Sequence, residues 1–135
     1  MAKSTGLGFT ISVDDSGGTV RNISNDITNL TISTPRNPQD VTGVDKSANE
    51  RLLLLVDMNA GLSGIFNPAA APSSHNTFRT VPSTSVARTT TLVIAAQTLA
   101  GELLYTDYNL NRANDGSFTW SANGVLADGT VPTWA

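Results

Sequence analysis

The sequence predicts a mainly β chain, an antiparallel β-sandwich or split barrel with one or two short helices. Two stretches carry that prediction. Residues 85–121 hold three extended segments separated by two turns, and residues 7–13 alternate apolar with small or polar side chains. Runs of β-branched residues suit a pleated surface, and period-2 alternation marks a strand with one face buried.

Taken in order, residues 1–6 are small and polar, an expected N-terminal arm. Leu7, Phe9, Ile11 and Val13 share one face of a first strand. Asp15-Ser16-Gly17-Gly18 is a turn signal, so residues 19–23 return as the second strand of a hairpin. Ser24-Asn25-Asp26 interrupts the pattern before residues 27–33 resume it. Residues 34–46 contain two prolines, a glycine and mixed charge without a sustained period, which predicts a long loop. Ser47 and Glu50 have capping-box spacing and predict a short helix running into the leucines at 52–55. Four consecutive leucines have no period, so a buried strand is the alternative over 47–56. Residues 57–66 return to extended character.

Asn67-Pro68 opens a breaker-rich loop, and residues 73–81 predict a single helix capped by Ser73 or Ser74. The meander comes next: residues 86–96, a two-residue connection at Gln97-Thr98, residues 99–108, a second turn around Asp115-Gly116, and residues 117–121. Residues 124–130 extend the last strand, and residues 128–135 form an apolar C-terminal arm ending in Trp134-Ala135. A tail of this kind packs on a neighbour.

At 135 residues the chain is expected to be one domain, 1–135. Charged residues are only 14% of it, against roughly 25% in ordinary soluble domains. Small neutral polar groups take their place, and these can be buried against a partner without stripping water from an ion. The net charge of −3 and the scattered arginines argue against a phosphate-binding footprint. The absence of cysteine excludes disulfides and thiolate metal sites. No leader opens the chain and no apolar run is long enough to span a bilayer, which predicts synthesis in the cytoplasm with no membrane association.

Chemistry is nearly absent. His75 is the sole histidine and reads as a surface or capping residue. Residues 61–64 lack the G-x-S-x-G spacing of a nucleophile elbow. The Asn111–Gly116 turn has alanine where a calcium loop needs a ligand. Glu102 and Asp107, five residues apart on one strand, are expected on opposite faces. Tyr105, Tyr108, Phe118 and Trp120 read as core aromatics because no basic residues are interleaved with them. No catalytic, cofactor or metal residues are therefore assigned, and the chain is not read as an enzyme.

Residues 40–67 add a resemblance. Asp40-Val41-Thr42-Gly43, then Glu50-Arg51-Leu52, Leu55-Val56-Asp57 and Gly61-Leu62-Ser63-Gly64-Ile65-Phe66-Asn67 resemble the central segment of the tail tube (major tail) proteins of long-tailed bacteriophages. In that family an acidic-Thr loop precedes a short helical turn, and a strand ending in Gly–aliphatic–aromatic–Asx comes after it. The order of hairpin, loop, helix and meander is also similar. The helix after Asn67 is shorter than is usual there, and no immunoglobulin-like domain is added after Trp134.

The resemblance implies a self-assembling virion protein that forms hexameric rings stacked into a tail tube. One sheet of each copy would line a channel through which DNA passes without specific binding. The implied partners are further copies and the tape measure, terminator and baseplate proteins; no cofactor is implied. The implied location is the virion tail, and the host cytoplasm during assembly. Carried over by position, residues 34–49 become an inter-ring assembly loop, and residues 1–6 and 128–135 become arms. The interface residues expected on this basis are Arg36, Asp40, Val41, Thr42, Val44, Asp45 and Lys46, with Leu7, Val131 and Trp134 from the arms. The alternatives are another phage structural protein, for head decoration or tail completion, or a small β-sandwich binding module.

Overall fold

A computed structural model describes residues 3–135. The N-terminal arm expected at 1–6 lies partly outside the described residues; residues 3–6 are exposed and outside any strand. Among the described residues nine strands form: β1 Thr10–Asp14, β2 Val20–Asn22, β3 Ile27–Ser33, β4 Arg36–Asp40, β5 Arg51–Val56, β6 Asn59–Ile65, β7 Arg88–Ile94, β8 Gln97–Arg112 and β9 Phe118–Leu126. One short helix, α1 Ser74–Phe78, lies between β6 and β7. Seven strands make one antiparallel sheet in the order β2-β1-β7-β8-β9-β6-β3, and β4 and β5 form a separate two-stranded ribbon. The mainly antiparallel β class is as expected, built on one large sheet.

That sheet must coil. Its two outermost strands, β2 and β3, are consecutive in the chain and joined only through a 3-10 turn at Ser24–Asp26. The turn brings the ends of the sheet together, giving a split barrel. Ile23 N–H donates to the Ile11 carbonyl on one side. On the other, Gly64 of β6 lies so close that a Cβ there would stand 1.7 Å from the Asp26 carbonyl oxygen. Asp26 is buried and clamps the next segment, accepting from Asn67 Nδ2 at 2.9 Å and from Ser74 N–H at 2.8 Å. Ser73 caps α1, its hydroxyl accepting from Asn76 N–H.

Inside the coil, Ile11, Val13, Met58, Leu62, Leu99, Leu103 and Trp120 pack around Phe78 of α1. The Phe78 ring lies 5.4 Å from Trp120 and 5.0 Å from Tyr105, centroid to centroid. Trp120 Nε1 donates to the Ile65 carbonyl, so its polar end is satisfied. Arg88 is also buried; its guanidinium donates to the Thr77 and Asp14 carbonyls and to Thr80 Oγ1, tying α1 and the Thr80 segment to β1 and β7. Burial pushes the Arg88 pKa down. It pushes the Tyr105 hydroxyl up to about 12, where it stays protonated and hydrogen-bonded to Thr90 Oγ1 at 2.7 Å.

Several expectations are corrected. Leu7 precedes the first strand and is exposed, so the buried face begins at Phe9. The long loop expected over 34–46 contains a strand, β4. Pro38 is tolerated in it because β4 pairs on one side only. The helix expected from Ser47 does not form. Glu50 is drawn into the ribbon instead, its N–H donating to Thr42 Oγ1 and its carbonyl accepting from Val41 N–H. The leucines make a strand, but an exposed one. The helix expected over 73–81 stops at Phe78, with a 3-10 turn at Val81–Ser83. The first meander turn falls at Ala95-Ala96, both at positive φ (49° and 65°), and β8 starts at Gln97.

Glu102 and Asp107 share a face. The register slips between Tyr105 and Asp107, and this bulge resets the alternation. Asp107 consequently pairs with Asn123 on the side of the sheet that Glu102 and Leu104 also occupy. Its carboxylate stands in for a ladder carbonyl, accepting from Asn123 N–H at 2.8 Å and from Asn109 Nδ2 at 2.9 Å.

Two substitutions test this account. Gly64→Ala forces a methyl into the Asp26 backbone and is expected to cost more than about 3 kcal/mol, read as a large drop in the urea midpoint. Asp107→Ala orphans the Asn123 amide, with an expected loss of about 1–3 kcal/mol by thermal denaturation.

Candidate functional site

Among the described residues no three His, Cys, Asp or Glu side chains cluster so as to hold a metal. His75 sits in α1 with Nδ1 3.0 Å from the Tyr108 hydroxyl, its ring 4.9 Å from that of Phe66. What the chain does present is unsatisfied surface of three kinds.

The first is backbone. β8 is 16 residues long. β7 pairs only with its first part, Gln97–Leu103, and β9 only with the remainder, Leu103–Arg112. Residues 104–112 therefore have a strand on one side only. β3, at the far side of β9 and β6, is likewise paired on one side, through residues 27–33. The four strands β8, β9, β6 and β3 thus form a sheet whose two outer edges have no strand partner, the 3-10 turn Val81–Ser83 packing against β8. Where β9 has left β8, the C-terminal segment covers the gap: Trp134 bridges to Leu99, and Ala135 and Thr98 exchange two backbone hydrogen bonds at 2.8 and 2.9 Å.

The second is a charge-poor face. On the side of this four-stranded sheet opposite Trp120 and Leu62, register places Asn29, Thr31, Asn59, Ser63, Ser121 and Asn123 around a shallow hollow of about 540 Å³. Asp107 stands on the same face, and neither Lys nor Arg projects from it by register.

Further along the same side of the large sheet, Asp14, Thr89 and Glu102 form a row across β1, β7 and β8. Thr89 donates its hydroxyl to Glu102, and Asp14 Oδ1 is buried without a hydrogen-bond partner. Burial, reinforced by the Glu102 carboxylate, raises the Asp14 pKa above its ordinary value.

The third is the ribbon. β4 is exposed at every position, and Leu52, Leu53, Leu54 and Leu55 of β5 all face solvent, with Leu55 92% exposed. An apolar run of this size in water marks an interaction surface. At the tip, Asp40 accepts from the Thr42 N–H and hydroxyl, which hold its carboxyl below the usual range.

The interface residues expected from sequence fall in three places. Arg36, Asp40, Val41, Thr42, Val44, Asp45 and Lys46 all lie on the ribbon or its tip; Arg36 donates to the Leu54 carbonyl, Lys46 pairs with Glu50 at 3.5 Å, and Val44 is fully exposed. Val131 meets the ribbon's base, lining a groove of about 240 Å³ with Arg36, Leu54, Leu55 and Val56. Trp134 lies apart from them at the start of β8, about half exposed, and Leu7 precedes β1. The sequence reading missed Leu52–Leu55 and did not say which strands are the edges. The aperiodic leucines were the available signal for the former.

No protein-family model matches the chain, and no curated protein matches it in sequence. Solved structures do. A chain of the tail of an empty gene transfer agent particle, computed with helical refinement and C6 symmetry, superposes with a TM-score of 0.79 at 16% identity, covering 98% of this chain and 99% of that one. A chain from the virion of a native gene transfer agent particle gives 0.73 at 14% identity, covering 98% and 99%. A chain of the six-fold symmetrised baseplate of the anti-feeding prophage gives 0.70 at 10% identity, covering 100% and 97%. The fold is therefore one found in phage-like tails.

Asp14 supplies a test of the electrostatics. A raised folded pKa means the protonated carboxyl favours the folded state. That contribution is complete below the unfolded value and is lost as pH rises through the folded one. Asp14→Asn is thus expected to raise the melting temperature at pH 7 and to flatten its decline between acid and neutral pH.

Proposed function

We propose that this chain is a structural subunit of a phage-type tail tube and that its activity is assembly. Copies join edge to edge into rings, six per ring as in the symmetries of the structural neighbours, and the rings stack into a tube that conducts DNA. The observation that carries this is the pair of bare edges on one four-stranded sheet.

The strand directions fit. β8, β9, β6 and β3 are successively antiparallel, so β3 runs opposite to β8. A neighbour's β8 placed beside β3 continues the alternation without a break, and its nine free residues span the seven of β3. The contact joins two different surfaces, so it propagates around a ring and closes if the rotation allows. Closure removes the edges, which are otherwise an invitation to uncontrolled pairing. A barrel of so many strands leaves an open lumen.

The face of the four-stranded sheet that lacks Lys and Arg and bears the Asp107 carboxylate suits the inside of that lumen. Neutral side chains offer phosphates no counter-ion, and Asp107 repels them weakly, so DNA slides without being held. The β4–β5 ribbon and the N-terminal arm are left to contact the next ring, joined by the exposed side of the C-terminal segment that is docked on β8, with tape measure, terminator and baseplate proteins meeting the assembled tube. The chain then resides in the virion tail.

Replacing residues 37–55 with a short Gly-Ser turn tests the division of labour. The ribbon shares no ladder with the barrel, so the variant is expected to keep the parent's circular dichroism. In negative-stain microscopy it is expected to give single rings or small oligomers in place of tubes. Tubes of normal length from this variant would refute the stacking role, and a parent that stays monomeric at high concentration would refute the proposal as a whole.

A further inference from the structure

We infer that neighbouring copies join in one register, with Leu30 and Ile32 of one copy's β3 opposite Leu110 and Tyr108 of the next copy's β8. This register rests on the tube reading above and adds which residues meet. Each free edge is regular over only part of its length. β8 is interrupted by the bulge between Tyr105 and Asp107 and ends at Arg112, so its uninterrupted edge is the six residues 107–112. β3 is interrupted between Ile27 and Asn29 and ends at Ser33, so its uninterrupted edge is the five residues 29–33. Pro35 follows closely and has no N–H with which to lengthen the ladder.

Five residues lie fully paired against six in two ways: Asn29 opposite Asn111, or Asn29 opposite Arg112. The two differ by one residue, and a one-residue slip turns every side chain to the other face. Leu30 and Ile32 pair within the chain with the buried Leu62 and Ala60, and Tyr108 and Leu110 with the buried Ala122 and Trp120. All four therefore point to the core side. With Asn29 opposite Asn111, Leu30 meets Leu110 and Ile32 meets Tyr108. With Asn29 opposite Arg112, the same two apolar residues meet Asn111 and Asn109, which point to the other face. At the free edges these apolar side chains are only partly covered, Leu110 being 46% exposed. The first register lets each copy's core layer run on into the next, burying them against one another.

Ring closure favours the same pairing. A row of paired residues crosses one copy as Asn109, Ser121, Ser63 and Asn29. It then passes to Asn111 of the next copy, two residues further along β8 than it began, a stagger of the kind that lets the strands of a closed barrel tilt. Setting Asn29 opposite Asn109 instead gives no stagger and runs Ile32 against Thr106 at the bulge. On the hollow's side of the sheet the chosen register sets Thr31 beside Asn109 and Ser33 beside Asp107, so no Lys or Arg enters the seam.

The chain contains no cysteine, and Asn29, Thr31, Asn109 and Asn111 are exposed, so thiols placed there leave the core intact. Tubes of Asn29→Cys/Asn111→Cys and of Thr31→Cys/Asn109→Cys, treated with a mild oxidant, are expected to give ladders of disulfide-linked subunits on a non-reducing gel. Asn29→Cys/Asn109→Cys is expected to link at least about tenfold more slowly, because diagonal neighbours stand roughly 7–8 Å apart and a disulfide needs Cβ atoms about 4 Å apart. Linking of that third variant as fast as the first two, or no linking in tubes of the first two, overturns the register while leaving the tube reading intact. A helical reconstruction of the parent tube reads the seam without any substitution: Leu30 beside Leu110 of the next copy is expected, and any other pairing overturns the register. Failure of the parent to form rings or tubes at all overturns both.

Discussion

The structure depends on how β8 divides its ladder. A strand of 16 residues is about three times the usual length, and neither neighbour is long enough to use it all. β7 takes the first part and β9 the second, with the hand-over at Leu103, which both strands pair and which is fully buried. That stagger lets one sheet serve two purposes. The half containing β2, β1 and β7 coils over Phe78 to close a core. The half containing β8, β9, β6 and β3 carries on past β7 and is left with bare edges. A shorter β8 would pair completely and have nothing to offer a neighbour.

The bulge next to the hand-over gives this division its chemistry. Without it, the alternation that puts Leu103 and Tyr105 inside would carry Asp107 inside as well. With it, Tyr108 turns inward beside Trp120 and Phe78, and Asp107 turns outward. A carboxylate that would cost several kcal/mol unpaired in the core becomes instead an acceptor for the amide the bulge leaves unpaired, and the one acidic group beside the hollow on the neutral face. Tyr108 gains the apolar contacts, its hydroxyl pushed up to about 12 by burial.

Much of this was legible in the residues, and the rest was hidden for identifiable reasons. The meander, the first hairpin, the Ser73 cap and the sorting of Tyr105, Tyr108 and Trp120 into the core arise from period-2 alternation and local turn chemistry, which act over a few residues, whereas Phe118, expected with them, is exposed and stacks on Phe66. The turn at Ala95-Ala96 was displaced in the reading because alanine carries no signal for positive φ; the ladder between β7 and β8 imposes it. The bulge was invisible because it depends on which residue of β9 faces Asp107. Ser47 and Glu50 looked like a helix start because capping-box spacing is local, whereas Glu50's actual partners, Lys46, Thr42 and Val41, belong to a ribbon fixed by cross-strand pairing. The interface residues carried over from the resemblance lie mostly on the ribbon, and the leucines beside them, read as a short helix or else a buried strand, form an exposed strand there. Apolarity reports that a side chain will be buried, not in whose interior.

That last distinction also explains the composition. A chain with charges on only 14% of its residues is poorly protected against association, and a free monomer would ordinarily carry more. Here the scarcity is consistent with the surfaces described. The sheet edges offer backbone amides and carbonyls, the outer face offers amides and hydroxyls, and the ribbon offers leucines. None requires an ion to be desolvated when a copy arrives. Four of the charges at the ribbon are already engaged: Lys46 pairs with Glu50, Asp40 is satisfied by Thr42, and Arg36 is bound to backbone carbonyls. Local pairing of this kind keeps the hairpin tip soluble in the dispersed subunit without making it repel an identical tip.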